Sequence, residues 1–176
     1  ELSSDLDIPI IVKEVGSGIS PSVAKKLSKT KIGAINVAGM GGTSWAGIEQ
    51  IRAKKFKNKK KSDLGLLFWD WGIPTAATIF LTRHSVKTPI IASGGLRNGL
   101  DLAKSITLGA DVGGFARPML TPASKSYNSL TTFIDQLVLE LKSTMFLIGA
   151  KNIRELKSAE YITTEPLTSW ISKVRK

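Results

Sequence analysis

Residues 93–120 read SGGLRNGLDLAKSITLGADVGGFARPML. They follow the short apolar run Pro89 to Ala92 (PIIA) and contain a helically spaced segment, Leu100 to Leu108, closed by Gly109. A second β-rich run, Val112 to Ala116 (VGGFA), ends at Ala116-Arg117-Pro118. Gly94 and Gly95 lack a Cβ, so backbone amides there can approach an anion closely, and Arg97 adds a fixed positive charge two residues on. Ala116-Arg117 makes a second amide-rich turn, from which a short helix can point its N-terminus at the same anion. One glycine pair alone is ordinary turn chemistry. Two consecutive strand ends of this kind read as a phosphate cradle. In eight-stranded βα barrels phosphate is held by the loops after strands seven and eight, which assigns these two strands.

Working towards the N-terminus, two further β-rich runs stand out, Ile8 to Lys13 (IPIIVK) and Ile32 to Val37 (IGAINV). IPIIVK and PIIA are almost continuously apolar, as strands buried on both faces are, which favours a parallel sheet. Helical spacing follows each turn, over Pro21–Lys29, Ser44–Lys54, Leu100–Leu108 and Ser124–Leu147. Ser20-Pro21 supplies an N-cap and a Pro at the first helical position. An extra segment, Leu64 to Ser85, lies between the second and third strands, with a helix expected from Pro74.

Four βα units fit either a small doubly wound, flavodoxin-like sheet or half of a (β/α)8 barrel. A whole barrel takes about 250 residues, and this chain has 176. The opening ELSSDLD reads as the tail of a helix that continues upstream. The expected architecture is therefore an α/β half-barrel, strands five to eight with their helices. Residues 1–176 are accordingly expected to be the C-terminal half of one domain, with the N-terminal half absent from this chain.

Apolar content of 42% with 22% charged residues describes a globular chain, and neither a long apolar span nor a signal-peptide pattern is visible. A cytoplasmic protein without a membrane partner is expected. With no cysteine, disulfides, thiolate metal sites and cysteine nucleophiles are excluded. The net charge of +11 invites a nucleic-acid reading. Much of it is local, because Arg52 to Lys61 (RAKKFKNKKK) carries seven basic residues and no acid. Phe56 is the only aromatic there, so no stacking platform accompanies the charge, and the run reads as a solvated loop.

Ligands of parallel α/β folds sit beyond the carboxyl ends of the strands. Lys13 ends the first strand and can neutralise an anion or pair with Glu14. Thr43 and Ser44 follow Gly41-Gly42 at the second, offering hydroxyls to a ligand or a cap to the next helix. Trp45 can flank a ligand, although packing is the commoner role. His84, the only histidine, falls near a helix end and reads as a dipole partner. Asp70 in FWDWG is a possible general base, with a loop-anchoring hydrogen bond the simpler role. No HExxH, paired-carboxylate or Walker pattern occurs.

Residues 93–120 resemble the phosphate-binding segment shared by FMN-dependent barrel enzymes. Together with VKEVGSGIS (12–20), AGMGGTSWAGIE (38–49) and DWGIPTAAT (70–78), they resemble the C-terminal half of the type 2 isopentenyl-diphosphate isomerase family, of archaeal kind. The chain lacks the histidine-glycine strand end of 2-hydroxy-acid oxidases and the cysteine of inosine monophosphate dehydrogenase. The resemblance implies an isomerase interconverting isopentenyl and dimethylallyl diphosphate with reduced FMN, NADPH as reductant and Mg2+ on the substrate. It implies that Lys13 and Thr43 contact the flavin, that Gly95, Leu96 and Arg97 surround its phosphate, and that Ala116 and Arg117 close the far side. Catalytic residues and metal ligands are expected in the N-terminal half, none of the metal ligands in this one, and the partners are that half and further copies in a homo-oligomer. Two other readings remain open: another FMN barrel oxidoreductase acting on a small hydroxy acid, and a non-catalytic phosphate- or nucleic-acid-binding module.

Overall fold

The computed structural model describes residues 5–172, so the first four residues of ELSSDLD lie outside the described part. Its four strands, β1 (Ile11–Lys13), β2 (Ala34–Asn36), β3 (Ile90–Ala92) and β4 (Val112–Gly113), form one sheet in the order β1-β2-β3-β4. Every pairing is parallel, with Ile11 opposite Ala34, Ile35 opposite Ile90 and Ile91 opposite Val112. Chain order and spatial order coincide. A flavodoxin-like sheet reverses its strand order at a switch point, whereas a barrel adds each strand beside the last. The chain is a partial (β/α)8 barrel.

Helix α1 (Pro21–Leu27) links β1 to β2, and α5 (Gly99–Thr107) links β3 to β4. Between β2 and β3 lie α2 (Trp45–Lys55), α3 (Lys59–Leu67) and α4 (Thr75–Arg83). After β4 come α6 (Arg117–Lys125), α7 (Tyr127–Leu147), α8 (Ile153–Lys157) and α9 (Leu167–Ser172). Among the described residues no helix is long and apolar enough to cross a membrane.

The core lies between sheet and helices, where Ala24, Ile35, Val37, Ile79, Ile90 and Ala92 are fully buried. Each buried Ile contributes about 1.5–3 kcal/mol. The helices start where the sequence offers caps: the Ser20 hydroxyl accepts from the Val23 amide, Asn58 from Lys61 and Asn98 from Asp101.

Local structure departs from expectation in four places. The IPIIVK strand, expected to be buried on both faces, is the edge of this sheet, and Ile8 and Ile11 are exposed. The basic run is not a loop. It is the last turn of α2, a turn at 56–58 and the first turn of α3, because Lys, Arg and Ala are good helix formers and Asn58 caps the restart. The expected helix from Ser124 to Leu147 breaks at Ser126, whose extended backbone (φ −171°, ψ 163°) ends α6 while its hydroxyl caps α7. The fourth strand pairs only over Val112–Gly113 before the chain turns into the site.

At the amino ends of the strands, Asp111 joins three elements. Its carboxylate accepts from the Ile90 amide at 2.8 Å, pairs with Lys157 of α8 and lies 3.6 Å from Arg83 of α4. Burial pushes this carboxyl up, but the hydrogen bonds from Lys157 and the Ile90 amide, with the charges of Lys157 and Arg83, together hold it below the ordinary value.

Candidate functional site

At the carboxyl end of β1, Glu14 folds back so that one carboxylate oxygen accepts from the amides of Gly16, Ser17 and Gly18, the last two at 2.6 and 3.0 Å. Its charge is committed to the turn. Lys13 donates instead to the Glu14 carbonyl at 2.7 Å, and among the described residues no carboxylate pairs with it. The pairing of Lys13 with Glu14, left open by the sequence, does not form.

The loops after β2 and β3 meet backbone to backbone. Gly94 and Gly95 have φ of +101° and +90°, and a Cβ on them would lie 2.1 Å from the Gly39 carbonyl oxygen and 2.0 Å from that of Gly41. Glycine is therefore required here by contact between loops, as well as by any need for close approach to an anion. The Gly39 amide donates to the Ser93 carbonyl at 2.9 Å, and the Ser93 hydroxyl donates to Asn36 Oδ1 at 2.6 Å.

The DWGIPTAAT segment fastens this assembly from the side. The Ile73 amide donates to the Ser17 carbonyl at 2.8 Å, and Met40 donates to the Ile73 carbonyl at 2.9 Å. The Thr75 hydroxyl donates to the Gly94 carbonyl. Thr78, fully buried, accepts from the Ile19 amide and donates to the Ile19 carbonyl, both at 2.9 Å. Sequence reasoning missed Asn36, Ser93, Thr75 and Thr78 as supports. The available signal was a polar residue inside an otherwise apolar strand or helix face.

What the loops leave open is a cleft of 720 Å³, within the usual range for cofactor sites. Lys13, Thr43, Gly95, Leu96, Arg97, Ala116 and Arg117 all line it. Among the described residues, the amides of Gly95, Leu96, Ala116 and Arg117 donate to no protein acceptor. Leu96 offers only its backbone, since its side chain is 5% exposed and packed in the core. Arg97 lies across both loops, its guanidinium donating to the carbonyls of Gly95 at 3.1 Å and Gly41 at 3.3 Å. Ala116 caps α6 without a side-chain hydrogen bond; Pro118 has no N–H and the Met119 amide donates to the Ala116 carbonyl at 3.1 Å, so the open donors at this helix start are the amides of Ala116 and Arg117. Three cations and no carboxylate line this space.

Other candidates fall elsewhere. Ser44 caps α2, accepting from Gly47 at 3.1 Å and donating to the Trp69 carbonyl at 2.6 Å, whereas the Thr43 hydroxyl is exposed. Trp45 donates from its indole to the Val15 carbonyl at 2.9 Å, a packing role. It also borders a neighbouring 410 Å³ hollow with Phe68, Trp69 and Trp71. Asp70 opens into that hollow, and among the described residues its exposed carboxylate makes no hydrogen bond, so the expected loop anchor is not formed. His84 ends α4, its ring stacked on Phe80 with centroids 3.8 Å apart, away from the cleft as expected.

This geometry has relatives. Residues 1–164 match the family described as FMN-dependent dehydrogenase. The isopentenyl-diphosphate delta-isomerase of Pyrococcus furiosus is 42% identical over 174 residues, covering 98% of this chain and 43% of that protein. That of Picrophilus torridus is 48% identical over 162 residues, covering 92% and 46%. The chain thus spans somewhat less than half the length of these curated relatives. Among solved structures, mandelate oxidase superposes with a TM-score of 0.65 at 17% identity, over 89% of this chain and 39% of that one, a likeness of fold alone. With residues 1–164 matched and a cation-lined cleft at the carboxyl ends of parallel strands, the chain belongs to the FMN-dependent dehydrogenase family.

Proposed function

We propose that this chain supplies the flavin-holding half of an isopentenyl-diphosphate delta-isomerase, which interconverts isopentenyl and dimethylallyl diphosphate. The observation that carries the reading is the cleft itself: four unpaired amides and three cations converge with no acid among them. It is joined by identities of 42% and 48% to two isopentenyl-diphosphate delta-isomerases. The donor set fits FMN. An anionic phosphate suits the amides of Gly95 and Leu96, the Arg97 guanidinium and the first turn of α6 at Ala116 and Arg117. Lys13 and Thr43, across the cleft, would hold the ring, and Lys13 would favour its anionic form by a charge that Glu14 does not neutralise.

When bound and reduced, FMN supplies the proton chemistry of the double-bond shift. The chain's own residues orient the cofactor and set the charge around it. Substrate diphosphate, its Mg2+, the catalytic groups and the metal ligands belong in this reading to the preceding half of the barrel, with NADPH as the reductant. The whole protein is then a cytoplasmic homo-oligomer. Residues 1–176 alone would be inactive, because half of the active site lies elsewhere.

The experiment is an assay of the full-length protein with reduced FMN and Mg2+, isopentenyl diphosphate in one arm and small 2-hydroxy acids with oxidised flavin in the other. Isomerisation is the expected outcome. Flavin reduction by a hydroxy acid without isomerisation would assign the chain to an oxidoreductase, and turnover by residues 1–176 alone would refute the division into halves.

A further inference from the structure

The α2–α3 hairpin is the most strongly charged feature outside the cleft. The two helices pack principally on each other through small residues: a Cβ on Gly65 would meet the Ala46 carbonyl and Gln50, each at 2.8 Å. Larger apolar side chains consequently face outward. Phe56, in the connecting turn, is 77% exposed, and Ile51 and Leu64, farther down α2 and α3, are exposed as well.

From residue 52 to residue 61 every charged residue is basic, and the next acid is Asp63 in the second turn of α3. Lys54 and Lys55 close α2, Lys57 occupies the turn with φ +54°, and Lys59 to Lys61 open α3. Cations at the end of α2 suit the helix dipole, but three lysines in the first turn of α3 oppose it. The sequence accepts a local electrostatic cost at that turn, which an anionic partner would offset. Arg52 is the one cation of the run with an ion pair among the described residues, to Glu49 at 2.7 Å.

We infer that the apex of the α2–α3 hairpin docks on an anionic lipid surface, the lysines meeting headgroups and Phe56 entering the interface. A second copy of this chain is a poor occupant, because a symmetric contact would set like charges against each other. Nucleic acid is served less well, since the exposed apolar residues are chiefly aliphatic and a single Phe gives no stacking platform. Lysine clusters with exposed apolar side chains are suited to anionic bilayers. The absence of a spanning helix, from which no membrane partner was expected, does not bear on surface docking.

The test is co-sedimentation of the full-length protein with phosphatidylcholine vesicles, with and without about 30 mol % phosphatidylglycerol. Binding should appear only with the anionic lipid and fade as salt rises from about 0.05 M to about 0.5 M. Replacing Lys57, Lys59, Lys60 and Lys61 by Glu should lower partitioning by roughly six-hundredfold or more, at about fivefold for each of the four lysines, and Phe56→Ala several-fold. FMN affinity, measured alongside, should be unchanged in both variants and reports folding. Equal binding to neutral vesicles, or binding indifferent to charge reversal, overturns the inference. So does tighter binding to duplex DNA at the same phosphate concentration with Phe56→Ala without effect, which assigns the face to nucleic acid.

Discussion

At the amino ends of the strands Asp111 accepts from the Ile90 amide and Lys157 and faces Arg83, so its lone pairs and charge are satisfied within the protein. At the carboxyl ends of the same strands, among the described residues, four amides lack a protein acceptor and Lys13 lacks a carboxylate. One end closes its polar groups on each other and thereby fixes α4, β3, β4 and α8 together. The other turns Glu14 back onto the amides of Gly16 to Gly18 and leaves the donors that line the cleft facing outward. An unpaired buried charge is costly, so donors stay open only where solvent or an anionic ligand can reach them. This is the barrel's usual division, stability at one face and ligand chemistry at the other.

The sharpest way to break the division is Gly95→Ala. Its Cβ would fall 2.0 Å from the Gly41 carbonyl oxygen at a backbone angle that disfavours any side chain. We expect a loss of about 3 kcal/mol or more in urea unfolding, with flavin affinity down on the order of a hundredfold. Retention of both would show that the two loops can part without consequence. Arg97→Ala should act on the ligand side only, weakening FMN about tenfold to a hundredfold in a fluorescence titration while the melting temperature stays constant. Lys13→Ala should leave stability alone and lower reduced-state activity more than oxidised-flavin affinity. Unchanged values of both would remove Lys13 from the site.

Much of this division is legible in the sequence. The glycine pair at 94–95, Arg97 and the Ala116-Arg117-Pro118 turn lie within one 28-residue stretch, and local spacing is enough to place them at strand ends. Lys13 and Thr43 come from distant segments: strand-end position makes them candidates, and the resemblance is what selects the flavin-contact role. What stayed hidden depends on contacts between loops. Nothing in the local sequence says that Gly94 must clear the Gly39 carbonyl or that Thr75 reaches Gly94. The basic run differs for another reason: its charge suggests a solvated loop, while the helix propensity of Lys and Ala and the cap at Asn58 make it the meeting of two helices. Asp111 was passed over because its partners, Lys157 and Arg83, are far from it in sequence.

The smallest expected effect sharpens the amino-end side. Asp111→Ala removes an acceptor from the Ile90 amide and a counter-ion from Lys157, but the side chain is 30% exposed, so solvent replaces part of the loss. We expect about 1–2 kcal/mol at neutral pH, with flavin affinity of the folded protein unchanged. The sign of its pH dependence follows from the carboxyl being held below its unfolded value of about 3.9. Above that value the carboxylate is ionised in both states and its full contribution is present. As pH falls through the lowered folded value the contribution disappears, so the gap between the two proteins in urea unfolding should narrow only below about pH 4. A gap that instead closed between pH 5 and 7 would move the responsible group away from Asp111. A fall in flavin affinity in this variant would mean that the two ends are coupled through β3 and β4.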